Sequence, residues 1–148
     1  MSNQFSKLGI SDKIIKSLSE LKITEPTEIQ EKSIPILLTN TDDFIGLAKT
    51  GTGKTAAFGL PLLQLIDTKN QNIQAVILVP TRELGHQIFN NLEVYAKYLP
   101  EVSIAATCGG IPIKPQMERL KTPTQIVVAT PGRLIDLLTS GFIKTKSL

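Results

Sequence analysis

The chain has 148 residues, 41% hydrophobic and 20% charged, with 16 Lys and Arg against 13 Asp and Glu for a net charge of +3. That length suits one domain and excludes a complete two-domain motor, and the ordinary hydrophobic content excludes a disordered chain. A lone cysteine, Cys108, excludes an internal disulfide; the longest apolar run, Ala75 to Pro80, is far below the roughly 18 residues of a membrane helix; and the opening MSNQFSKLGI has no signal-peptide core, so the expectation is a cytoplasmic protein without a membrane partner.

In chain order, two helices come first, Asp12–Leu21 opened by Ser11 and Thr27–Leu38 opened at Pro26 and Thr27. Four short runs rich in Val, Ile, Leu and Ala then predict strands at Phe44–Leu47, Ala75–Val79, Val102–Thr107 and Ile126–Ala129. Each is followed by a turn and a helical segment: Lys54–Ile66, Arg82–Tyr98, Pro112–Leu120 and Pro131–Leu138. Strands alternating with helices give an α/β domain with a parallel sheet flanked by helices. The Lys54 helix is apolar on nearly every side, as in a buried helix, and Pro61 is expected to kink it. Leu84, Ile88, Leu92 and Tyr95 form a helical stripe read as core, His86 as a surface or partly buried residue rather than a metal ligand, and Cys108 as a small packed one. Residues 1–74 carry 8 basic and 8 acidic side chains and residues 75–148 carry 8 and 5, so the positive excess lies in the second half, a weak sign of a polyanion partner.

In open parallel sheets ligands gather beyond the carboxyl ends of the strands. After the first predicted strand the chain reads Ala48-Lys49-Thr50-Gly51-Thr52-Gly53-Lys54-Thr55, a phosphate loop with Ala in place of the usual first Gly. Gly51 and Gly53 let the backbone turn its N–H groups around phosphate oxygens, and the helix starting at Lys54 adds its positive dipole end. Lys54 supplies a mobile ammonium and the Thr55 hydroxyl is placed to ligate Mg²⁺, so a nucleoside triphosphate is the natural ligand. A chance match to this pattern in a chain of this length is on the order of half a percent.

From this point the chain resembles the N-terminal RecA-like domain of a DEAD-box RNA helicase, over essentially its whole length. Phe5 stands 17 residues before Lys22, which opens a segment ending Pro26-Thr27-Glu28-Ile29-Gln30, similar to the family's Q motif. The resemblance implies an ATP site of Phe5, Ile23, Gln30 and the phosphate loop, with the Gln30 amide reading adenine through one donor and one acceptor. The family usually has Gly in place of Lys22 and an aromatic in place of Ile23. Pro80-Thr81-Arg82-Glu83-Leu84 is similar to motif Ia, with Gly85 where Ala is common; Gly109-Gly110 and Thr130-Pro131-Gly132-Arg133, similar to motif Ib, follow the next two strands. Thr81 and Thr130 stand at N-cap positions, so these helix starts would present N–H groups to RNA phosphates, with Arg82 and Arg133 adding charge, in contacts that ignore base identity.

The resemblance thus implies ATP and Mg²⁺ as cofactors, RNA as partner, and a second RecA-like domain in the parent protein. It divides the chain into a Q-motif helical region, 1–38, and a partial RecA-like domain, 39–148, incomplete at its C-terminal end. The Asp-Glu-Ala-Asp segment that would orient water lies beyond Leu148, and Asp42, Asp43 and Asp136 do not stand where a substitute is needed. No catalytic carboxylate is assigned, and the isolated chain is expected to bind without hydrolysing or unwinding. A non-enzymatic nucleotide or RNA-binding module and another P-loop ATPase are the alternatives.

Overall fold

The structure, a computed structural model, describes residues 3–39 and 42–148. The chain divides into two compact units, one of residues up to Leu65 with Val94–Pro100, the other of Ile66–Glu93 with Glu101–Leu148.

The first unit holds a short 3-10 helix, Gln4–Leu8, and the helices α1 (Asp12–Glu20), α2 (Glu28–Thr39) and α3 (Lys54–Leu65). Its core is Phe5, Ile10, Ile14, Leu18 and Ile34 with Ala56, Ala57, Leu60 and Leu63 of α3, all buried. The small residues let α2 and α3 approach closely enough for the Ser33 hydroxyl to donate to the Ala57 carbonyl, 3.3 Å away. Gln64 on α3 fastens the joint before α1: its Nε2 donates to the Gly9 carbonyl at 2.8 Å and its Oε1 accepts the Ser11 N–H at 3.0 Å. Pro61 sits buried within a continuous α3.

Helix α1 ends in a Schellman turn, with the Ile23 N–H on the Leu18 carbonyl at 2.9 Å and the Lys22 N–H on the Ser19 carbonyl at 3.0 Å. That turn requires a left-handed residue, and Lys22 supplies it at φ +61°, a conformation glycine adopts without the Cβ penalty. The departure at Lys22 is therefore a backbone matter. Lys97 and Tyr98 reach Glu20 at the end of α1, Lys97 at 2.5 Å and Tyr98 through its hydroxyl, while the Lys16 ammonium lies 4.1 Å from the Tyr98 ring centre. These hydrogen bonds, from Lys97 first and Tyr98 second, hold the Glu20 carboxyl below its usual range.

The second unit is built on a three-stranded parallel sheet, β1 (Ala75–Leu78), β2 (Ile104–Thr107) and β3 (Ile126–Ala129), in the order β1-β3-β2. Ala75 and Ile104 both pair with Ile126, so the strands run in step. The central strand has no exposed surface, which explains an Ile-Val-Val-Ala run without polar alternation. Helices α5 (Ile113–Leu120) and α6 (Pro131–Thr139) close one face around Val127, Ala129, Leu137 and Ile143. On the other face α4 (Arg82–Tyr95) brings Gly85 against Cys108, Val79 and Val128.

Four expectations about elements and core need correction. Phe44–Leu47 forms no strand; Ile45 is 86% and Leu47 90% exposed. A strand exists only through a neighbouring ladder, and among the described residues none pairs with this run. Helix α4 stops at Tyr95 rather than Tyr98, because Lys97 and Leu99 close tight turns onto Val94 and Ala96 ahead of Pro100. Strand β2 begins at Ile104 rather than Val102, since the Ser103 N–H is taken by the Gln125 side chain at 2.8 Å. In the predicted core stripe, Ile88, Leu92 and Tyr95 are buried but Leu84, in the first turn of α4, is 37% exposed.

Candidate functional site

In the first unit the phosphate loop leads into the N-terminus of α3. Gly51 and Gly53 both take left-handed backbone, at φ +80° and +86°, and the Thr52 hydroxyl closes the turn onto the Lys49 carbonyl at 2.7 Å. Lys54 folds back, its Nζ 2.5 Å from the Ala48 carbonyl, so the ammonium stands at the mouth of the loop. Thr55 follows in the first turn, half-buried. Lys49 and Thr50 are exposed on the rim.

Gln30 is buried on α2 and joined to this loop: its Nε2 donates to the Gly53 carbonyl at 3.0 Å and its Oε1 accepts the Thr27 N–H at 2.9 Å. The Thr27 hydroxyl donates to the Thr52 carbonyl at 2.8 Å. A Cβ on residue 53 would lie 2.3 Å from Gln30 Nε2, so the amide occupies the space that glycine leaves open. An amide carries a second N–H and a second acceptor lone pair, so Gln30 keeps capacity for one more donor and one more acceptor contact.

Beside the loop lies a cavity of about 440 Å³ lined by Thr27, Glu28, Ile29, Lys32, Leu47, Ala48, Lys49 and Thr52. Thr27, Glu28, Ile29, Lys32 and Leu47 were not among the expected ATP-site residues; the first three belong to the segment ending at Gln30 and Lys32 stands two residues after it, and that adjacency was the available signal. Glu28 pairs with Lys32 at 2.6 Å, which holds its carboxyl below the usual range. Phe5 is fully buried in the core and Ile23 is half-buried at the Schellman turn, its carbonyl accepting Asn3 Nδ2 at 3.1 Å; neither lines the cavity. Among the described residues no cluster of His, Cys, Asp and Glu is arranged for a metal ion.

In the second unit the three candidate RNA segments leave the carboxyl ends of β1, β2 and β3, which the parallel register puts on one edge of the sheet. Pro80, Thr81, Arg82 and Glu83 are exposed. The Thr81 hydroxyl caps α4, accepting the Leu84 N–H at 3.3 Å. Arg82 reaches the Gly110 carbonyl at 3.4 Å and Glu83 at 3.3 Å. The Glu83 carboxyl is held below its ordinary range first by its own backbone N–H and then by Arg82. Gly110 sits at φ +82°, and a Cβ there would meet Arg82 Nη1 at 3.1 Å.

Thr130 occupies the N-cap of α6, but its hydroxyl accepts the Gly109 N–H at 2.9 Å and leaves its own helix uncapped. Pro131 and Gly132 are exposed in the first turn. Arg133, expected among the exposed cations, keeps only 10% of its side chain accessible. Its Nη1 donates to Gln116 Oε1 at 2.6 Å and its Nη2 to the Ile111 carbonyl at 2.8 Å. Gln116 in turn donates to the Cys108 carbonyl at 2.9 Å. Burial pushes the Cys108 thiol up.

A family model described as DEAD/DEAH box helicase matches residues 27–148. The chain belongs to the DEAD/DEAH box helicase family. This helicase domain is 46% identical over 141 residues to the ATP-dependent RNA helicase CshA of Listeria monocytogenes, covering 95% of the chain and 27% of that relative. Among solved structures it is similar to Dbp5 of S. cerevisiae bound to RNA and ADP BeF3, with a TM-score of 0.88 and 28% identity, covering 99% of this chain and 36% of that one. It is likewise similar to a DEAD box protein from the hyperthermophile Methanococcus jannaschii, with a TM-score of 0.87 and 36% identity, covering 97% and 39%. The fold is therefore that of the RecA-like domain of DEAD-box proteins, and the chain spans little more than a quarter of the length of the curated relative it matches. Among the described residues no helix is long and apolar enough to cross a membrane.

Proposed function

We propose that the chain is the ATP- and RNA-binding part of an ATP-dependent RNA helicase, with 1–38 as its Q-motif region, 39–148 as part of its first RecA-like domain, and a second such domain in the whole protein. The observation that carries the nucleotide reading is the Gln30 amide seated on the Gly53 carbonyl of the loop; neither residue lines the 440 Å³ cavity, whose lining includes Thr27, Ala48, Lys49 and Thr52. That bond ties a base-reading side chain to the loop that holds phosphates, so occupancy of one end is felt at the other. The triphosphate would lie along the N–H groups of 51–55 with Lys54 turning from the Ala48 carbonyl to a phosphate oxygen, and Thr55 is the residue that would hold a Mg²⁺ ion, which would supply charge neutralisation.

RNA runs along the sheet edge, its phosphates on the α4 and α6 N-termini and on Arg82, its backbone close to Gly109 and Gly110. Support comes from Dbp5, similar over nearly the whole chain and solved with RNA and ADP BeF3. Hydrolysis needs a carboxylate that orients water, and Glu28, the acid lining the cavity, is already paired with Lys32. This chain by itself therefore binds ATP without turning it over.

The test is titration with a fluorescent ATP analogue: Lys54→Ala is expected to abolish binding while the thermal melt is kept, and unchanged affinity overturns the reading. RNA-stimulated phosphate release by the 148-residue chain, absent from Lys54→Ala, would overturn the claim of inactivity alone.

A further inference from the structure

Four consecutive residues after β2 have a backbone group held by a side chain from elsewhere in the second unit. The Cys108 carbonyl accepts Gln116, the Gly109 N–H donates to Thr130, the Gly110 carbonyl accepts Arg82 and the Ile111 carbonyl accepts Arg133. Two of these clamps are one device, since Gln116 Oε1 receives Arg133 Nη1 at 2.6 Å. Gln116 is 6% exposed, on a helix whose neighbouring Ile113, Met117 and Leu120 pack into the core. A buried amide there costs free energy unless both its ends are bonded, and here both are. Arg133 Nε is buried without a hydrogen-bond partner and lies 3.9 Å from an Asp136 oxygen, so the guanidinium accepts an unfulfilled donor in order to face inward.

We propose that Gln116 and Arg133 are a positioning pair that fixes the Cys108–Ile111 turn, and that Arg133 serves RNA through this turn rather than by touching a phosphate. The inference rests on the reading of this edge as an RNA surface. Arg82, 43% exposed at its side chain, is then the cation of the edge that meets phosphate. An ammonium in place of Arg133 keeps the charge but loses the planar fork that spans Gln116 Oε1 and the Ile111 carbonyl together.

Binding of a fluorescent single-stranded oligouridylate across a KCl series tests the assignment. Arg82→Ala is expected to reduce the magnitude of the slope of log K against log salt by about 0.7, one phosphate contact on a single strand. Gln116→Ala, Arg133→Ala and Arg133→Lys are each expected to weaken binding roughly tenfold at every salt concentration, slope unchanged, as one broken buried hydrogen-bond unit. The Gln116→Ala, Arg133→Ala double variant should be no worse than either single one. Near-full binding by Arg133→Lys, with a reduced slope for Arg133→Ala and no effect of Gln116→Ala, overturns the proposal and makes Arg133 a phosphate ligand.

Amide hydrogen exchange at Gly109 reads the turn without RNA. Faster exchange is expected in Gln116→Ala and Arg133→Lys at unchanged melting cooperativity, and unchanged exchange overturns the proposal. If the unsubstituted chain binds no oligouridylate while Gly109 exchange still rises in the variants, the RNA reading fails and the positioning pair stands.

Discussion

In the unit of the proposed phosphate loop the turn is held by left-handed backbone at Gly51 and Gly53 and by hydrogen bonds from Gln30, Thr27, Thr52 and Lys54 to its carbonyls, with an apolar run, Phe44–Leu47, left open just before it. In the sheet unit the functional turn sits on a completed parallel ladder and is fastened by four side chains, two of them almost entirely buried. The first turn depends on two left-handed glycines as well as on its side-chain bonds, whereas the second depends on long, buried side chains and so on the helices that carry them. Damage should therefore act through backbone strain in the first unit and through packing and buried polar groups in the second.

The largest effect is expected at Gly53. Gly53→Ala combines left-handed strain with a Cβ 2.3 Å from Gln30 Nε2, and should cost more than about 2 kcal/mol and remove nucleotide binding. Gly51→Ala has similar φ but nothing within 4 Å, and should cost about 1 kcal/mol by strain alone. Chemical denaturation of the two variants, followed by titration with the ATP analogue, separates strain from collision; equal losses would place the whole cost in the backbone.

Next comes packing in the sheet unit. A Cβ on residue 85 would sit 2.6 Å from Cys108 Sγ and 3.2 Å from a Val79 methyl. Gly85→Ala, which on helix propensity alone should stabilise by about 1 kcal/mol, should instead destabilise by about 1–2 kcal/mol. Added to Cys108→Ala, the same change should become neutral or stabilising, a coupling of at least about 1 kcal/mol in a double-mutant cycle of denaturation midpoints. Additive effects would remove the collision from the account.

Smaller effects return to the first unit. Lys22→Gly, at φ +61°, is expected to raise stability by about 0.5 kcal/mol, left-handed relief outweighing the added chain entropy. Ile45→Lys should stay within about 0.5 kcal/mol, because the side chain is already in water, and should reduce light scattering by removing an exposed apolar residue. A cost of several kcal/mol in the melt of Ile45→Lys would mean that 44–47 is paired in solution, which narrows the contrast between the units.

Where structure follows from short-range chemistry, the sequence was enough. The six helices start within a residue of their expected positions, four of them marked by Ser11, Pro26, Thr81 and Pro131, and Ile126–Ala129 is found at its expected bounds because a run so apolar must be central. Phe44–Leu47 looks the same by composition, yet a ladder depends on a neighbour that the run itself does not encode. The same limit applies to the site. Glycines and Lys54 carry the proposed phosphate loop in the sequence itself, but whether an arginine points outward or inward depends on what lies beneath it. Arg82 and Arg133 occupy equivalent places after their strands, and the buried Gln116, whose position on α5 carries no motif, turns the second one in together with the Ile111 carbonyl. Thr130 is similar: an N-cap by position, it spends its hydroxyl on Gly109.

The contact between Gly85 and Cys108 also constrains how the two positions can change. The motif that this segment resembles has Ala at the first of these positions, and in this chain the sulfur occupies the room that its methyl needs. A lineage moving between the two arrangements has a preferred order of steps: the residue at 108 shrinks before the methyl at 85 appears, and the methyl leaves before the sulfur arrives. The opposite order passes through a crowded intermediate, so these two sites should change together across relatives although neither faces nucleotide or solvent.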